Sequence, residues 1–433
     1  MPNLSDIYNV INRNHSKAKE GFIRPTIAEF FMSDRDFTEV LSVTPISYGV
    51  AWNEDADTYA RTGDILGETL SSSLSDTLLP IHANMKRCVI SDAGVVQYYL
   101  DASDSTLKAD GITSSNLDGT DGQVMVEIPA FYYKYGYSGT THTWEIADYA
   151  KDGYSLHPAF VKNGSNVDYR YMSAYEGIAW DNSTSSYIDG VSFTGDTATD
   201  KLSSVSGFAP WTDETRAEFR SYGANRGTGW RQQDYDLVSA IQLLYLIEYA
   251  DWNSQSMIGM GRTELSGGTW VKDSYIGVTG KSNAKGNGTF SVGGNTNDAY
   301  MTYRGIENFF GNIWKWVDGF NVNDNVPYVS NTDTNFADNT VTNYTDLGIT
   351  LPNVNGYQKL LEQQSRGFLP SSIGGTGVGS STYITDYYFQ GADWRVTMLG
   401  GLASGGANAG VACWHLDVSS SVDAAHIGGR LCF

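Results

Sequence analysis

The sequence predicts an α+β protein in which strands and loops outnumber helices. Two compositional features support this class: 47 of the 433 residues are glycine and 13% are aromatic, whereas only 18% are charged. Such a composition is typical of short strands joined by many turns rather than of long charged helices. The third observation is the one strongly apolar helical stretch, which lies in the second half of the chain at residues 234–249.

Short alternating runs predict a β-rich region over residues 46–219. The first run covers residues 46–52. Residues 88–90 and 95–100 lie on either side of a Ser-Asp-Ala-Gly turn, which predicts a hairpin. Three further runs are strand candidates, at residues 124–128, 131–135 and 169–175.

The strongest helix prediction covers residues 234–249. Leu237, Ile241 and Leu244 share one face of this helix, and Asp234 or Asp236 can cap its first turn. Because the segment is apolar on most sides, we expect it to be buried. Residues 212–222 form a second helix candidate.

The first 45 residues have a pattern of their own, with helix-like stretches at residues 4–18 and 27–41. A short helical segment ahead of a β-rich body is typical of an attachment or oligomerisation element, and an ordinary packed helix is the alternative. Two later segments, residues 263–300 and 321–390, are rich in Gly, Asn, Ser and Thr and are predicted to be long loops.

Charge and cysteine content exclude several classes of protein. The formal net charge is −21 and the isoelectric point is about 4.5, so neither a nucleic acid nor an anionic membrane is expected as a partner. Cys88, Cys413 and Cys432 are too few for a disulfide framework. The N-terminus lacks the apolar core of a signal peptide, and no apolar run reaches the roughly 20 residues that cross a bilayer.

The most distinctive motif is YRGIENFFGNIWKWVDG at residues 303–319. Gly311 and Asn312 are predicted to form a turn before a strand that places Trp314 and Trp316 on one face, with Lys315 on the other. We expect both indoles to belong to the core.

A second motif group lies at the C-terminus, in residues 394–417 and 425–433, where glycines divide the chain into short strands. Arg430 belongs to the last strand. We expect a structural guanidinium there, which pairs with a carboxylate such as Asp318 or Glu307 or with carbonyl groups.

The order and spacing of these motifs resemble the C-type-lectin-like domain that formylglycine-generating enzymes share with phage receptor-binding proteins. The similarity extends to residues 121–135 and 219–261, so it covers about residues 85–433. It implies a C-type-lectin-like domain at residues 220–433, preceded by a β-rich intermediate region at 46–219. Residues 321–390 are then a long insertion. Residues 1–45 lie outside the similarity, and their helix-like pattern alone predicts the virion attachment or oligomerisation segment.

In that family, the stretch before the terminal strand forms an exposed patch, which some members diversify. The resemblance implies a shallow receptor-binding patch with Trp414 and His415 as its expected anchors. A core tryptophan and an ordinary surface histidine remain the alternatives. The matching positions are Leu402, Ala403, Gly405, Ala407, Asn408, Ala412, Cys413, Trp414, His415 and Asp417.

No cofactor is expected, and any metal site remains unknown. The six histidines lack metal-ligand spacing, and the triplets with which sugar-binding C-type lectins hold calcium are missing, although calcium elsewhere stays possible. The formylglycine-generating relatives use a cysteine pair, whereas residues 391–401 contain no cysteine. We therefore predict that the chain is not an enzyme; a glycosidase with two carboxylates is the catalytic alternative.

Together these features predict a bacteriophage adhesin, such as a tail fibre, that binds a glycan or protein on the host cell surface. The protein is expected to be made in the bacterial cytoplasm and to reside in the virion, as a homotrimer attached to other virion proteins through its N-terminal segment. The first alternative is a structural virion protein, such as a head fibre or decoration protein. A degraded enzyme of the formylglycine-generating type is the second.

Overall fold

The computed structural model describes residues 46–70, 73–284, 286–291, 299–364 and 366–433. Over these residues the protein is mainly β, with 36% of residues in strands and 11% in helices. The predicted α+β class is therefore wrong. The physical reason is that the apolar helix at residues 234–249 is a single element enclosed by sheets and not one layer of a helical half. The predicted N-terminal helices and attachment segment lie outside the described residues.

The strands are short, and most contain two to seven residues. In chain order they are β1 (Ser47–Asn53), β2 (Thr58–Gly63), β3 (Lys86–Ile90), β4 (Val96–Tyr99), β5 (Gln123–Pro129), β6 (Tyr132–Ser138), β7 (Thr141–Ala147), β8 (Ser155–Leu156), β9 (Val161–Lys162), β10 (Ser165–Asn166), β11 (Tyr169–Ser173), β12 (Ile178–Asp181), β13 (Ser186–Ile188), β14 (Lys201–Ser203), β15 (Arg231–Gln232), β16 (Gly288–Ser291), β17 (Ala299–Tyr303), β18 (Ile306–Glu307), β19 (Trp314–Asn323), β20 (Val326–Val329), β21 (Thr345–Asp346), β22 (Gly356–Leu361), β23 (Pro370–Ile373), β24 (Ile384–Gln390), β25 (Trp394–Leu399), β26 (Trp414–Val418), β27 (Ile427–Gly428) and β28 (Leu431–Cys432).

Four α-helices accompany these strands in the described part of the chain. They are α1 (Pro80–Ala83), α2 (Arg216–Ala224), α3 (Tyr235–Tyr249) and α4 (Ser254–Ile258). None of the described helices is long and apolar enough to cross a membrane.

Three sheets form most of the structure. The largest has nine strands, in the order β21-β20-β19-β25-β26-β24-β22-β23, and β27 joins it beside β19. A six-stranded sheet has the order β15-β28-β11-β5-β3-β4, and a five-stranded sheet has the order β2-β1-β7-β6-β8. The remaining strands of the described ranges form two sheets of three strands and one of two.

The six-stranded sheet joins distant parts of the chain. Its strand β28, at the C-terminus, pairs with β11 near residue 172, and β11 pairs in turn with β5. Residues 46–433 consequently form one compact unit. Strands β5 and β11 precede residue 220, where a domain boundary was predicted, and β15 and β28 follow it, yet all four belong to this sheet. Residue 220 therefore does not separate two compact units.

Helix α3 lies at the centre of the main core, as its apolar sequence predicted. All fifteen of its residues are buried, and it packs against β1, β7 and β19. Asp234 caps the helix by accepting a hydrogen bond from the Leu237 amide at 3.0 Å. The predicted helix over residues 234–249 is confirmed because an element that is apolar on nearly every face has to be enclosed.

The other local predictions have mixed outcomes. The hairpin is confirmed by antiparallel pairing of β3 with β4. Helix α2 begins at Arg216 rather than near residue 212, because Thr215 and Glu218 form a capping box at that point. The prediction that residues 321–390 are loop is wrong, since this range contains β20 to β24 in full.

The motif of residues 303–319 supplies scaffold rather than surface. Trp314 and Trp316 are buried, as expected. Lys315 is buried too: its ammonium lies 3.3 Å from Glu176 and donates to the Gly311 carbonyl. Asn312 donates to the same glutamate at 2.5 Å. Burial lowers the pKa of Lys315 to about 8. The GNIWK segment thereby contributes to a polar network within the core.

Arg430 has the structural role that the sequence predicted. Its guanidinium is fully buried and donates to the carbonyls of Ser173 and Glu307. The Asp318 carboxylate, by contrast, pairs with Arg220, with atoms 2.6 Å apart.

Candidate binding surface

The predicted receptor patch lies on the turn between β25 and β26 and on β26 itself, and its ten residues differ widely in exposure. Ala407 is exposed. Five positions are partly exposed, namely Leu402, Gly405, Asn408, His415 and Asp417. The other four are buried, namely Ala403, Ala412, Cys413 and Trp414.

Trp414 is buried completely and does not anchor an exposed patch in this structure. Its ring packs 5.8 Å from Tyr235 of α3 and 5.6 Å from Phe320 of β19, measured between ring centroids. Cys413, on the other face, is buried as well. Neighbouring residues of a strand point to opposite faces, and both are buried here because one hydrophobic cluster contains Trp414 and a second contains Cys413.

His415 is partly exposed and packs among aromatic rings. Its imidazole stacks on Phe389 at 4.5 Å and meets the edge of Trp314 at 4.9 Å. The Asp417 carboxylate lies 3.3 Å from Nδ1, without the geometry of a hydrogen bond. Burial lowers the pKa of His415 to about 4, so the ring is neutral near pH 7 and offers an aromatic face rather than a charge.

The rings beside His415 form a continuous surface feature, which we call the aromatic strip and define as Tyr357, Tyr387, Phe389 and His415. Ring centroids of successive members lie 5.2, 4.7 and 4.5 Å apart. The strip crosses the neighbouring strands β22, β24 and β26, and each member is partly exposed. The Tyr357 hydroxyl donates to Asn408 at 2.8 Å, which links the strip to the predicted patch.

Sequence reasoning did not identify Tyr357, Tyr387 or Phe389. All three lie in the range that we interpreted as loop because of its glycine and asparagine content. A signal was nevertheless present in residues 384–390, ITDYYFQ, where Tyr387 and Phe389 alternate with the buried Tyr388. That two-residue period is typical of a strand with one face outward.

The turn beside the strip, residues 406–412, is held on its buried side by hydrogen bonds to polar side chains. The Asp386 carboxylate accepts hydrogen bonds from the Ala412 amide at 2.7 Å and from the Ser254 hydroxyl at 3.1 Å. Gln358 donates to the Ala412 carbonyl at 2.9 Å, and Gln242 donates to the preceding carbonyl, that of Val411, at 2.8 Å. Because Asp386 is buried without a cation, its pKa is raised to about 7.

Gln255 holds the outer part of the same turn. Its amide nitrogen donates to the carbonyls of Gly406 and Ala409 at 2.8 and 2.7 Å. Since the Ser254 hydroxyl also accepts from the Val411 amide, the backbone of residues 406–412 is bonded to five side chains. The exposed positions in and beside this turn belong to a fixed surface rather than to a free loop.

The described residues contain neither a group of candidate metal ligands nor an exposed cysteine thiol. Within the described ranges, no group of three or more His, Cys, Asp or Glu side chains is placed to hold a metal ion. All three cysteines are buried, and burial raises the pKa of each thiol above its usual value.

No protein family matches this sequence, and no curated protein matches it either. The resemblance to C-type-lectin-like receptor-binding proteins therefore stays a prediction that rests on the motifs quoted above.

Proposed function

We propose that this protein is a bacteriophage adhesin that binds a host surface glycan or protein through the aromatic strip and the exposed positions of residues 402–417. The observation that carries the proposal is the strip itself. Four contiguous rings, all partly exposed, cross three neighbouring strands. Contiguous exposed aromatic surface is a mark of binding sites.

The chemistry of the strip suits recognition. Aromatic side chains offer a large contact area and lose little conformational entropy on binding, because they have only two rotatable side-chain bonds. Tyr357 and Tyr387 add hydroxyl groups, and Asn408 and Asp417 supply polar groups at the margin. The fixed turn under Ala412 lowers the ordering cost further, since a pre-organised surface has less freedom to lose.

Further parts of the proposal rest on the sequence. The resemblance supports a virion location and a homotrimeric assembly, whereas attachment to other virion proteins through residues 1–45 rests on the helix-like pattern of that segment. Several copies on one virion would raise the avidity of a weak individual site. The proposed role requires no cofactor and no catalysis.

The direct test compares binding of purified protein to intact candidate host cells. We expect the double variant Tyr357→Ala, Tyr387→Ala to bind at least about tenfold more weakly than the wild type, because two anchors of roughly 1 kcal/mol or more are lost. Retained folding is checked by circular dichroism.

Tyr328→Ala is the matched control. Tyr328 is also a partly exposed tyrosine of the nine-stranded sheet, but β20 lies four strands from β24, or about 19 Å at the usual strand spacing. This variant should bind as the wild type does. Equal binding by the double variant and the control would reject the strip as the receptor site. If the wild type binds none of the candidate hosts, a structural virion role becomes the better explanation.

A further inference from the structure

A recess with a volume of about 400 Å³ lies at the turn between β1 and β2. The chain following α3 and the chain leading into β24 complete its walls. Its most informative lining residues are Asp57, Tyr59, Asp251, Asn253 and Tyr383. Four residues with hydroxyl groups and one leucine are also part of the lining.

The walls of the recess are held together by hydrogen bonds between separate chain segments. The Asp57 carboxylate accepts from the Trp52 indole at 3.1 Å and from the Tyr383 amide at 2.6 Å. The Tyr59 hydroxyl accepts from the Trp252 amide at 3.0 Å. The recess is thus pre-formed, as most small-ligand sites are.

Tyr383 is held in an unusual backbone conformation. Its φ angle is 58°, in the left-handed region that bulky residues rarely adopt. The bond from its amide to Asp57 helps to hold it there, at the wall of the recess. Strained residues of this kind concentrate at ligand-binding sites, where the surrounding structure maintains them.

We propose that this recess binds a neutral saccharide, a ligand class that deepens the function proposed above. Tyrosine rings provide apolar faces against which the carbon–hydrogen faces of a sugar ring pack. Carboxylates accept hydrogen bonds from sugar hydroxyls, and the Asn253 amide can donate to a ring or hydroxyl oxygen. The volume lies within the range of about 300–1,000 Å³ that small-ligand pockets occupy, which accommodates one or two sugar rings.

The charges around the recess select against anionic sugars. Asp57 and Asp251 both line it, and none of the described lining residues is lysine or arginine. Lys359 lies nearby, with its ammonium 5.8 Å from the centre of the Tyr383 ring, outside the lining set. A carboxylated or sulfated sugar would therefore meet repulsion from two carboxylates without an ion pair inside the recess.

The recess lies close to the aromatic strip along β24. Thr385 of β24 lines it, and Tyr387 of the strip follows two residues later in the same strand, about 7 Å further on. A glycan with its terminal unit in the recess would run towards the strip. This placement joins the two features into one extended surface.

The test measures sugar binding by the full-length protein in solution, without cells. The probes are lactose, maltose and diacetylchitobiose as neutral disaccharides, with 3′-sialyllactose as the anionic counterpart. Binding is followed by saturation-transfer NMR and titration calorimetry. We expect at least one neutral disaccharide to bind with a Kd of about 1 mM or tighter, and 3′-sialyllactose to bind more weakly than lactose.

Two variants locate the site. Ser381→Trp places a bulky side chain at an exposed lining position, and it should weaken binding at least about tenfold. Ser371→Trp is the matched control, since Ser371 is an exposed serine of β23 that does not line the recess; it should leave binding unchanged. Asp251→Asn keeps the shape of the side chain but replaces one carboxylate oxygen, a hydrogen-bond acceptor, with an amide donor. This variant should weaken sugar binding several-fold.

Three results would overturn the proposal: no neutral disaccharide binds, the sialylated sugar binds best, or Ser381→Trp binds as the control does. The outcome is separable from that of the cell-binding test. Sugar binding without cell binding would keep the recess as a saccharide site and reject the adhesin role. Cell binding that depends on Tyr357 and Tyr387, without sugar binding, would keep the adhesin and reject the saccharide.

Discussion

The motif of residues 303–319, through β19, and the segment of residues 356–390, through β22 to β24, contribute strands to the same nine-stranded sheet but differ in what their aromatic residues do. In the motif, Trp314 and Trp316 are buried beside a polar network around Lys315. In the later segment, Tyr357 and Tyr387 are partly exposed and form a surface. The recognisable part of the sequence thus encodes the scaffold, whereas the surface is encoded where the sequence has no recognisable motif.

This difference has a physical origin. A buried polar network requires particular side chains at particular places, because each unpaired group in the core is costly. A partly exposed strand requires only alternation and tolerates many residues at its outward positions. The two regions should therefore respond very differently to substitution, and the following predictions test that difference in order of expected effect.

The largest effect is expected from Lys315→Met. Removal of the ammonium leaves the Glu176 carboxylate buried without its cation, which typically costs about 3 kcal/mol or more of unfolding free energy. Urea denaturation measures the loss. The control is Lys272→Met, which breaks an exposed ion pair with Asp189 and should cost about 1 kcal/mol or less. Similar losses of unfolding free energy in the two variants would show that the network around Lys315 stabilises the fold no more than an exposed ion pair does.

Gly410→Ala should have the next largest effect, and it tests whether the turn beside the strip is as constrained as the motif. A Cβ atom at this glycine would lie 1.9 Å from an Asp386 oxygen, and that carboxylate is held by hydrogen bonds. We expect a loss of about 2 kcal/mol, as in other overpacked sites, together with weaker cell binding.

Gly379→Ala is the control for this substitution. A Cβ atom there meets no other atom within 4 Å. The unfolding free energy, measured by thermal denaturation, should therefore change by no more than about 0.5 kcal/mol. If Gly410→Ala changes the unfolding free energy as little as Gly379→Ala does, the turn can shift to accept a Cβ atom despite its hydrogen bonds.

A smaller effect is expected from the pH dependence that Asp386 confers. Its pKa is raised to about 7 in the folded protein by burial, whereas an unfolded aspartate titrates near 4. Between these values the folded state binds more protons than the unfolded state, so this group lowers stability as the pH rises from about 4 to 7. Above pH 7 its destabilising contribution is complete.

Asp386→Asn should remove that contribution. The difference in unfolding free energy between variant and wild type should increase from pH 4 to pH 7, by at most about 4 kcal/mol. Chemical denaturation at several pH values measures it. A difference that stays constant over this range would contradict the raised pKa.

The parts of the fold that could be predicted are those set by strong local signals. Helix α3 followed from an apolar pattern with a cap at Asp234, and the β3–β4 hairpin followed from its turn residues. The structural role of Arg430, with its guanidinium bonded to carbonyl groups, was also correctly predicted. The α+β class was wrong because many β-strands here contain only two to five residues, too few to show a clear period in a glycine-rich sequence.

The candidate site was predictable only in outline. The turn after β25 could be placed from its glycines, but the inward direction of Trp414 could not. Its orientation depends on α3, more than 160 residues earlier in the chain, and on a second cluster that covers the opposite face at Cys413. Likewise, Tyr357 meets Tyr387 through the pairing of β22 with β24, a long-range contact that no local pattern specifies.

The position of β26 between two hydrophobic clusters also determines how this surface can change over time. Substitutions at Trp414 or at Cys413 would be removed because they destabilise the fold. Under the proposed adhesin role, Ala407, Asn408 and His415 would instead be selected by what they bind. A lineage that changes hosts would therefore vary its outward positions and keep the inward ones. A combinatorial library restricted in the same way should return folded variants with altered partners.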